Sequence, residues 1–248
     1  MRAIFLIGLI AAAGGALAQA RSGTEFIGAE LKALQEDDFA NPGMLWVAEG
    51  ERLWREAPAG APSCAQCHGE PAAMKGVSAR YPKYDATLGR LLNLEGRIND
   101  CRVRRQKAEA LAYESQPLLA LTALLARQSK GLPLEVSIDG PARAHFESGE
   151  RLYRRKIGQF NLACTQCHDA NVGRRIGTDN VSQGQPNGFP IYRMEWQTLG
   201  SLHRRLRACN SGVRAEMLPG GSPEYLDLEL YLAWRGRGLP VETPAIRR

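Results

Sequence analysis

The 248-residue chain is 44% hydrophobic and 23% charged, with 26 Gly and 14 Pro, a composition that excludes disordered, collagen-like and coiled-coil classes. Its length suits one large domain or two small ones. The net charge is +6, carried mostly by Arg, and aromatics make up only 7%, so a basic surface has to be explained and the core needs a filler besides Trp and Phe.

The chain opens with a positive Met1-Arg2 pair, an apolar run over residues 3–17, and the small-x-small sequence Ala18-Gln19-Ala20. This is the pattern of a cleaved export signal, residues 1–20, with the mature chain starting at Arg21 and a net charge of +5. The run is shorter than the roughly 20 apolar residues a span needs, and no later stretch is long enough, so membrane insertion is not expected. Helices are predicted over 44–56 and 142–156, and over 117–128, where Leu118, Leu121 and Leu125 share a face between Pro117 and Gly131. Residues 225–234 are ambiguous alone, because Leu226, Leu228, Leu230 and Leu232 alternate as in a strand.

An internal repeat resolves that ambiguity. Gly50-Glu51-Arg52-Leu53-Trp54-Arg55 before Cys64-Ala65-Gln66-Cys67-His68 returns as Gly149-Glu150-Arg151-Leu152-Tyr153-Arg154 before Cys164-Thr165-Gln166-Cys167-His168. LEGRINDC at 94–101 returns as LHRRLRAC at 202–209, keeping Leu first and Arg fourth, and Lys130-Gly131-Leu132-Pro133 is answered by Arg237-Gly238-Leu239-Pro240. Two copies are too few for a solenoid. They predict a mainly α chain of two tandem domains, 21–139 and 140–248, split near 138–141, and equivalence to 117–128 makes 225–234 a helix.

Six cysteines in an exported chain first suggest three disulfides. The spacing points elsewhere: both Cys-x-x-Cys-His runs are complete c-type haem attachment patterns, and a chance expectation on the order of 0.002 for one makes two in register decisive. Two thiols a helical turn apart, Cys64 and Cys67 or Cys164 and Cys167, can add to the two vinyl groups of one haem. The adjoining His68 or His168 then becomes the proximal iron ligand. No second Cys pair follows at zinc-ribbon distance. Two covalent haem c groups are therefore expected, and they would supply the missing core.

For the sixth iron position, no methionine lies between Met74 and Met194, and His145 sits before the second motif in the wrong lobe. The repeat places Cys101 and Cys209 at matching points, so thiolate ligation is predicted, pairing His68 with Cys101 and His168 with Cys209. Met194, Met217 and His203 remain rivals on the second iron, and a Cys101–Cys209 disulfide is the alternative use of the two thiols. Arg97, Arg102, Arg104 and Arg105 flank Cys101; Arg204, Arg205, Arg207 and Arg214 flank Cys209. Guanidinium groups lower a thiol pKa and bind oxyanions, though they equally serve haem propionates or face solvent. An exported haem protein meets small anions and redox proteins, which argues against nucleic acid as a partner.

The signal segment, the two haem lobes, the lone Cys of each lobe and Arg204-Arg205-Leu206-Arg207-Ala208-Cys209 together resemble the SoxA family, the dihaem cytochrome subunits of the periplasmic sulfur-oxidising system. The resemblance spans essentially the whole mature chain, and the Cys in its Arg-rich segment is its specific part. It implies a periplasmic heterodimer with a monohaem SoxX-like cytochrome, acting as an L-cysteine S-thiosulfotransferase that oxidatively couples thiosulfate to a cysteine of a SoxYZ-like carrier. On this pattern the second haem is the active one, Cys209 is the catalytic cysteine that carries an extra sulfur as a persulfide, and Arg205 contacts substrate. The competing readings are a tetrathionate-forming thiosulfate dehydrogenase, which needs no carrier, and a dihaem electron carrier without catalysis.

Overall fold

A computed structural model describes residues 19–248; all but the last two residues of the expected signal segment lie outside them. Nine helices are present among the described residues: α1 (Ala29–Glu36), α2 (Met44–Arg55), α3 (Cys64–His68), α4 (Leu94–Arg104), α5 (Gln116–Arg127), α6 (Ala142–Arg154), α7 (Cys164–His168), α8 (Leu202–Gly212) and α9 (Pro223–Arg235). The four longer helices expected from the sequence are all found, including the one with strand-like leucine alternation. In α9, Tyr225, Leu228, Leu230, Tyr231, Leu232 and Ala233 are all buried. A helix covered around much of its circumference carries apolar residues off any single stripe, which is how it comes to imitate a strand.

Local signals fix where the key helices begin. Asn93 Oδ1 accepts the Gly96 N–H at 2.9 Å to start α4, and Ser201 Oγ accepts the Arg204 N–H at 3.2 Å to start α8. Pro117 and Pro223 occupy first-turn positions of α5 and α9, where a missing N–H costs nothing. Helix α2 packs on α5, and α6 on α9. Both crossings depend on a glycine. A Cβ at Gly50 would overlap the Ala120 carbonyl oxygen, and one at Gly149 the Asp227 carbonyl oxygen.

Seven short strands among the described residues, which the sequence reading did not anticipate, hold the loops. β1 (Lys83–Asp85) and β2 (Arg90–Leu92) pair antiparallel, as do β3 (Arg175–Ile176) and β4 (Asp179–Asn180). β5 (Ile191–Arg193) lies between antiparallel β6 (Thr198–Gly200) and parallel β7 (Ala245–Arg247). The C-terminal β7 also meets the N-terminal α1, whose Gln35 Oε1 accepts from Ile246 N at 3.0 Å and from Arg247 Nη1 at 2.8 Å.

Two large hydrophobic clusters result, beside a small one of Ala79, Leu134 and Val241. One gathers Val47, Trp54, Leu118 and Leu124 with Tyr192, Leu199 and Ile246; the other gathers Phe146, Tyr153, Leu228 and Tyr231 with Leu91. Each therefore draws apolar side chains from both halves of the sequence. No helix among the described residues is long and apolar enough to cross a membrane.

Candidate functional site

The two Cys-x-x-Cys-His segments form the single-turn helices α3 and α7, and the same side chains shape both. Gln66 Oε1 accepts from Ser63 N, and Gln166 Oε1 from Ala163 N, each at 2.7 Å, which closes the first turn of each. At the far end, Trp54 Nε1 donates to Gly69 O at 2.8 Å, while Tyr153 Oη donates to Asp169 Oδ1 at 2.8 Å. The repeated Trp or Tyr of α2 and α6 thus anchors the residue that follows each histidine. That role was not evident from the repeat alone.

The second segment borders a cavity of about 740 Å³. Cys164, Cys167, His168 and Cys209 line it together, among apolar walls that include Leu162, Phe189, Leu206 and Leu228. The volume lies within the range of pockets that enclose a cofactor-sized ligand. His168 Nδ1 lies 2.7 Å from Ser182 O. A carbonyl only accepts, so Nδ1 carries the proton and Nε2 keeps its lone pair for a metal. Gly184, at φ +72°, sits against the ring: a Cβ there would stand 3.1 Å from His168 Nδ1. An apolar cavity with two thiols on one wall and a correctly protonated imidazole fits a covalently held haem.

Cys209 and His168 line this space together, close enough to interact. Burial would push its thiol up, but the His168 contact and the Arg205 and Arg193 charges outweigh that and hold it below the ordinary value. The rival ligands are placed otherwise. Met194 and Met217 are exposed, at 39% and 49%. His203 is buried with Nδ1 accepting from Gly221 N at 2.9 Å, and His145 Nδ1 is bound to Asp227 Oδ1 at 2.7 Å. All six cysteines are free, so the alternative Cys101–Cys209 disulfide is not formed.

The arginines around Cys209 separate into two kinds. Arg204 stacks on Trp196 at 4.3 Å, Arg207 Nη1 donates to Leu218 O at 2.6 Å, and Arg214 stacks on Phe160 at 5.1 Å. Arg205 lines the cavity and makes no side-chain hydrogen bond or ion pair among the described residues. Arg193, which sequence reasoning missed, also lines the cavity, buried between Asp179 and Glu195.

The first segment is arranged differently. Cys101 lies close enough to Cys64 and Cys67 for their charges to interact, but Cys67 and His68 are exposed. Arg97, the counterpart of Arg205, is held by Asp85, Asp100 and the Tyr81 hydroxyl. Burial raises the Cys101 thiol, and the lowering effect of Arg97 is opposed by Asp100. Equivalent cysteines therefore have opposite tendencies: Cys101 is driven toward the thiol and Cys209 toward the thiolate. Among the described residues, no group of three or more His, Cys, Asp or Glu converges on a bare-metal site.

The chain is similar to proteins of known family over most of its length. The family model for the SoxA/TsdA cytochrome c domain matches residues 49–134. An L-cysteine S-thiosulfotransferase subunit SoxA from Pseudaminobacter salicylatoxidans is 44% identical over 231 residues, covering 92% of this chain and 80% of the relative. The protein of the same name from Rhodovulum sulfidophilum is 41% identical, with the same 92% and 80% coverage. The crystal structure of SoxXA from P. pantotrophus superposes with a TM-score of 0.89 at 36% identity, covering 92% of this chain and 87% of that one.

Proposed function

The chain belongs to the SoxA family of L-cysteine S-thiosulfotransferase subunits, and on that premise we propose that the Cys209 cavity is where thiosulfate is joined to a carrier cysteine. The protein is a c-type cytochrome with covalently bound haem c. In this reading it has two cytochrome c-like lobes, 21–139 and 140–248, each with one haem: Cys64 and Cys67 with His68 and Cys101 as ligands, Cys164 and Cys167 with His168 and Cys209. It is exported to the periplasm, cleaved after Ala20, and works beside a SoxX-like cytochrome on a SoxYZ-like carrier.

One observation carries the choice of the second site: Arg205 is free in the cavity beside Cys209, while its counterpart Arg97 is neutralised by Asp85 and Asp100. A dianion such as thiosulfate needs an uncommitted cation, and a guanidinium offers paired N–H donors. The reaction is R–SH + S₂O₃²⁻ → R–S–S–SO₃⁻ + H⁺ + 2e⁻. Arg205 orients the anion so that its outer sulfur faces Cys209, and Arg193, paired with Asp179 and Glu195, shapes the wall beside it. The Cys209 sulfur, or the outer sulfur of the persulfide implied by the family, is joined to thiosulfate's outer sulfur as an S–S–SO₃⁻ group while a proton and two electrons leave. The carrier thiol then takes over the whole S–SO₃ group and returns a proton to Cys209. The haem, when bound, supplies one-electron acceptance next to the reacting sulfur. His168 is fixed by Ser182 for ligation, and the apolar walls limit water around the sulfur.

Peptide-mapped mass spectrometry of the chain matured in a host that attaches haem c tests this. Two haems, on the Cys64–Cys67 and Cys164–Cys167 peptides, with extra sulfur on the Cys209 peptide are expected. Cys209→Ala should retain both haems and lose carrier-dependent turnover. Arg205→Ala should lower that turnover about 10- to 100-fold, the worth of a charge-assisted contact. A single haem, or full turnover without any carrier protein, would overturn the proposal.

A further inference from the structure

Helices α4 and α8 begin at the same place in the molecule. Glu95 and His203 hold equivalent positions in the repeat, each six residues ahead of its lone cysteine, and both are buried, at 8% and 1% exposure. Glu229 of α9 completes the group. Its Oε2 lies 2.9 Å from His203 Nε2 and accepts from Asn93 Nδ2 at 3.1 Å. His203 Nδ1 accepts from Gly221 N, which places the imidazole proton on Nε2, beside Glu229 but without a hydrogen bond to it among the described residues. Tyr113 stacks on His203 with ring centroids 5.8 Å apart and donates to Asn93 Oδ1, and the Tyr225 ring stands 5.4 Å away. Glu114 is the other facing carboxylate and accepts from Ser201 N and Oγ. Arg90 is a nearby cation and acts on Tyr113.

A cavity of about 70 Å³ opens onto Glu95 and Glu229, room for a few waters. Asn187 and Ser78 also line it, and their Oδ1 and Oγ atoms have no protein partner. Leu202 and Phe189 border both this cavity and the larger one holding Cys209. Glu95 and Glu229 thus face a water-sized space beside the His203 imidazole, with Glu114 near the same ring. Burial and the neighbouring Glu229 charge disfavour an ionised Glu95, which makes it the proton carrier of the group.

We propose that Glu95, Glu229 and His203 form a buried proton site linked to the second haem, taking up a proton as an electron arrives there and giving it back as the electron leaves. This rests on the proposed haem at Cys164, Cys167 and His168. Burial and the Glu229 charge push Glu95 up to about 7; burial pulls His203 down, but the Glu229, Glu95 and Glu114 charges leave it raised. Protonation of the group therefore changes near neutral pH. The six residues from His203 to Cys209 span about 9 Å of helix. A unit charge about 12 Å away, at an effective dielectric near 20, changes a proton affinity about tenfold. The proton comes from solvent through the small cavity. The electron comes from the sulfur-coupling reaction, whose own proton is released at Cys209, and it leaves to the partner cytochrome.

The test uses the haem-loaded chain, with two attached haems first verified by mass. Proton uptake on reduction of the second haem is read with a pH indicator in weakly buffered solution between pH 6 and 8, alongside that haem's potential against pH. A fraction of a proton per electron is expected, together with a redox-difference infrared band from a protonated carboxyl. Glu95→Gln should abolish most of the uptake and flatten the pH dependence of the potential. No uptake by the wild-type chain, no carboxyl band, or unchanged uptake in Glu95→Gln each overturns the inference. If Glu95→Gln does not load haem, Glu229→Gln takes its place and is read in the same way. Loss of the second haem from the wild-type chain would overturn the proposed function; a loaded chain without proton uptake would overturn only this inference.

Discussion

His168, the proposed iron ligand, is held by residues that would not themselves touch the metal. Ser182 O fixes its tautomer and Gly184 leaves room for its ring. Neither residue belongs to the Cys-x-x-Cys-His pattern, and neither could be singled out from the sequence, because a carbonyl partner fourteen residues downstream leaves no side-chain signature. Gly184→Ala tests this second layer. The substitution adds a Cβ at positive φ, which costs about 1 kcal/mol, and the new methyl group presses on the imidazole. The expected result is a covalently attached second haem whose axial-ligand spectrum changes while the first haem's stays as it was. An unaltered spectrum would show that the loop yields and the histidine does not depend on it. The same scale explains why Cys209 and Cys101 differ: Asp85 and Asp100 pair with Arg97, whereas Arg205, though its charge reaches Glu195, forms no ion pair among the described residues.

Pairs of helices give the molecule its recurring geometry, and the sequence signalled them well. Amphipathic spacing, proline starts and the repeated Gly-Glu-Arg-Leu-aromatic-Arg run are local features, so 44–56, 117–128, 142–156 and 225–234 could all be read as helices. What stayed hidden was why the run begins with glycine. Gly50 and Gly149 lie where α2 meets α5 and α6 meets α9, with backbone carbonyls in the space a Cβ would fill. Gly149→Ala is therefore expected to destabilise the chain by about 1–3 kcal/mol, or more if α9 cannot shift. Gly50→Ala should cost a similar amount through Ala120. Thermal unfolding of the two single variants checks this, and wild-type stability in either would mean that its helix pair has slack the structure does not show. The short strands were hidden for a different reason: runs of two or three residues carry too little periodicity, and β7 is defined by a partner more than fifty residues away.

Across the whole molecule, the two halves share more than a chain connection. Each hydrophobic cluster borrows from the other half, β7 closes onto α1, and α4, α8 and α9 bring Glu95, His203 and Glu229 into one buried group. The attachment motifs were legible because their chemistry is contiguous. This group was not, because Asn93 and Glu229 are 136 residues apart and meet only after folding. Such a group makes stability depend on pH. The Glu95 carboxyl is raised by burial first and then by Glu229, from an ordinary value of 4.5 to about 7. Folding then favours its protonated form, so its contribution is intact below about 4.5 and is lost as pH rises through 7. His203, also raised, acts in the same sense. Glu95→Gln keeps the shape but cannot ionise. Relative to the wild type, the variant should gain on the order of 1–3 kcal/mol between pH 4.5 and 8. Denaturant unfolding of both haem-loaded proteins at those two pH values measures the difference, and parallel stability curves would show that Glu95 keeps an ordinary carboxylate in the folded chain.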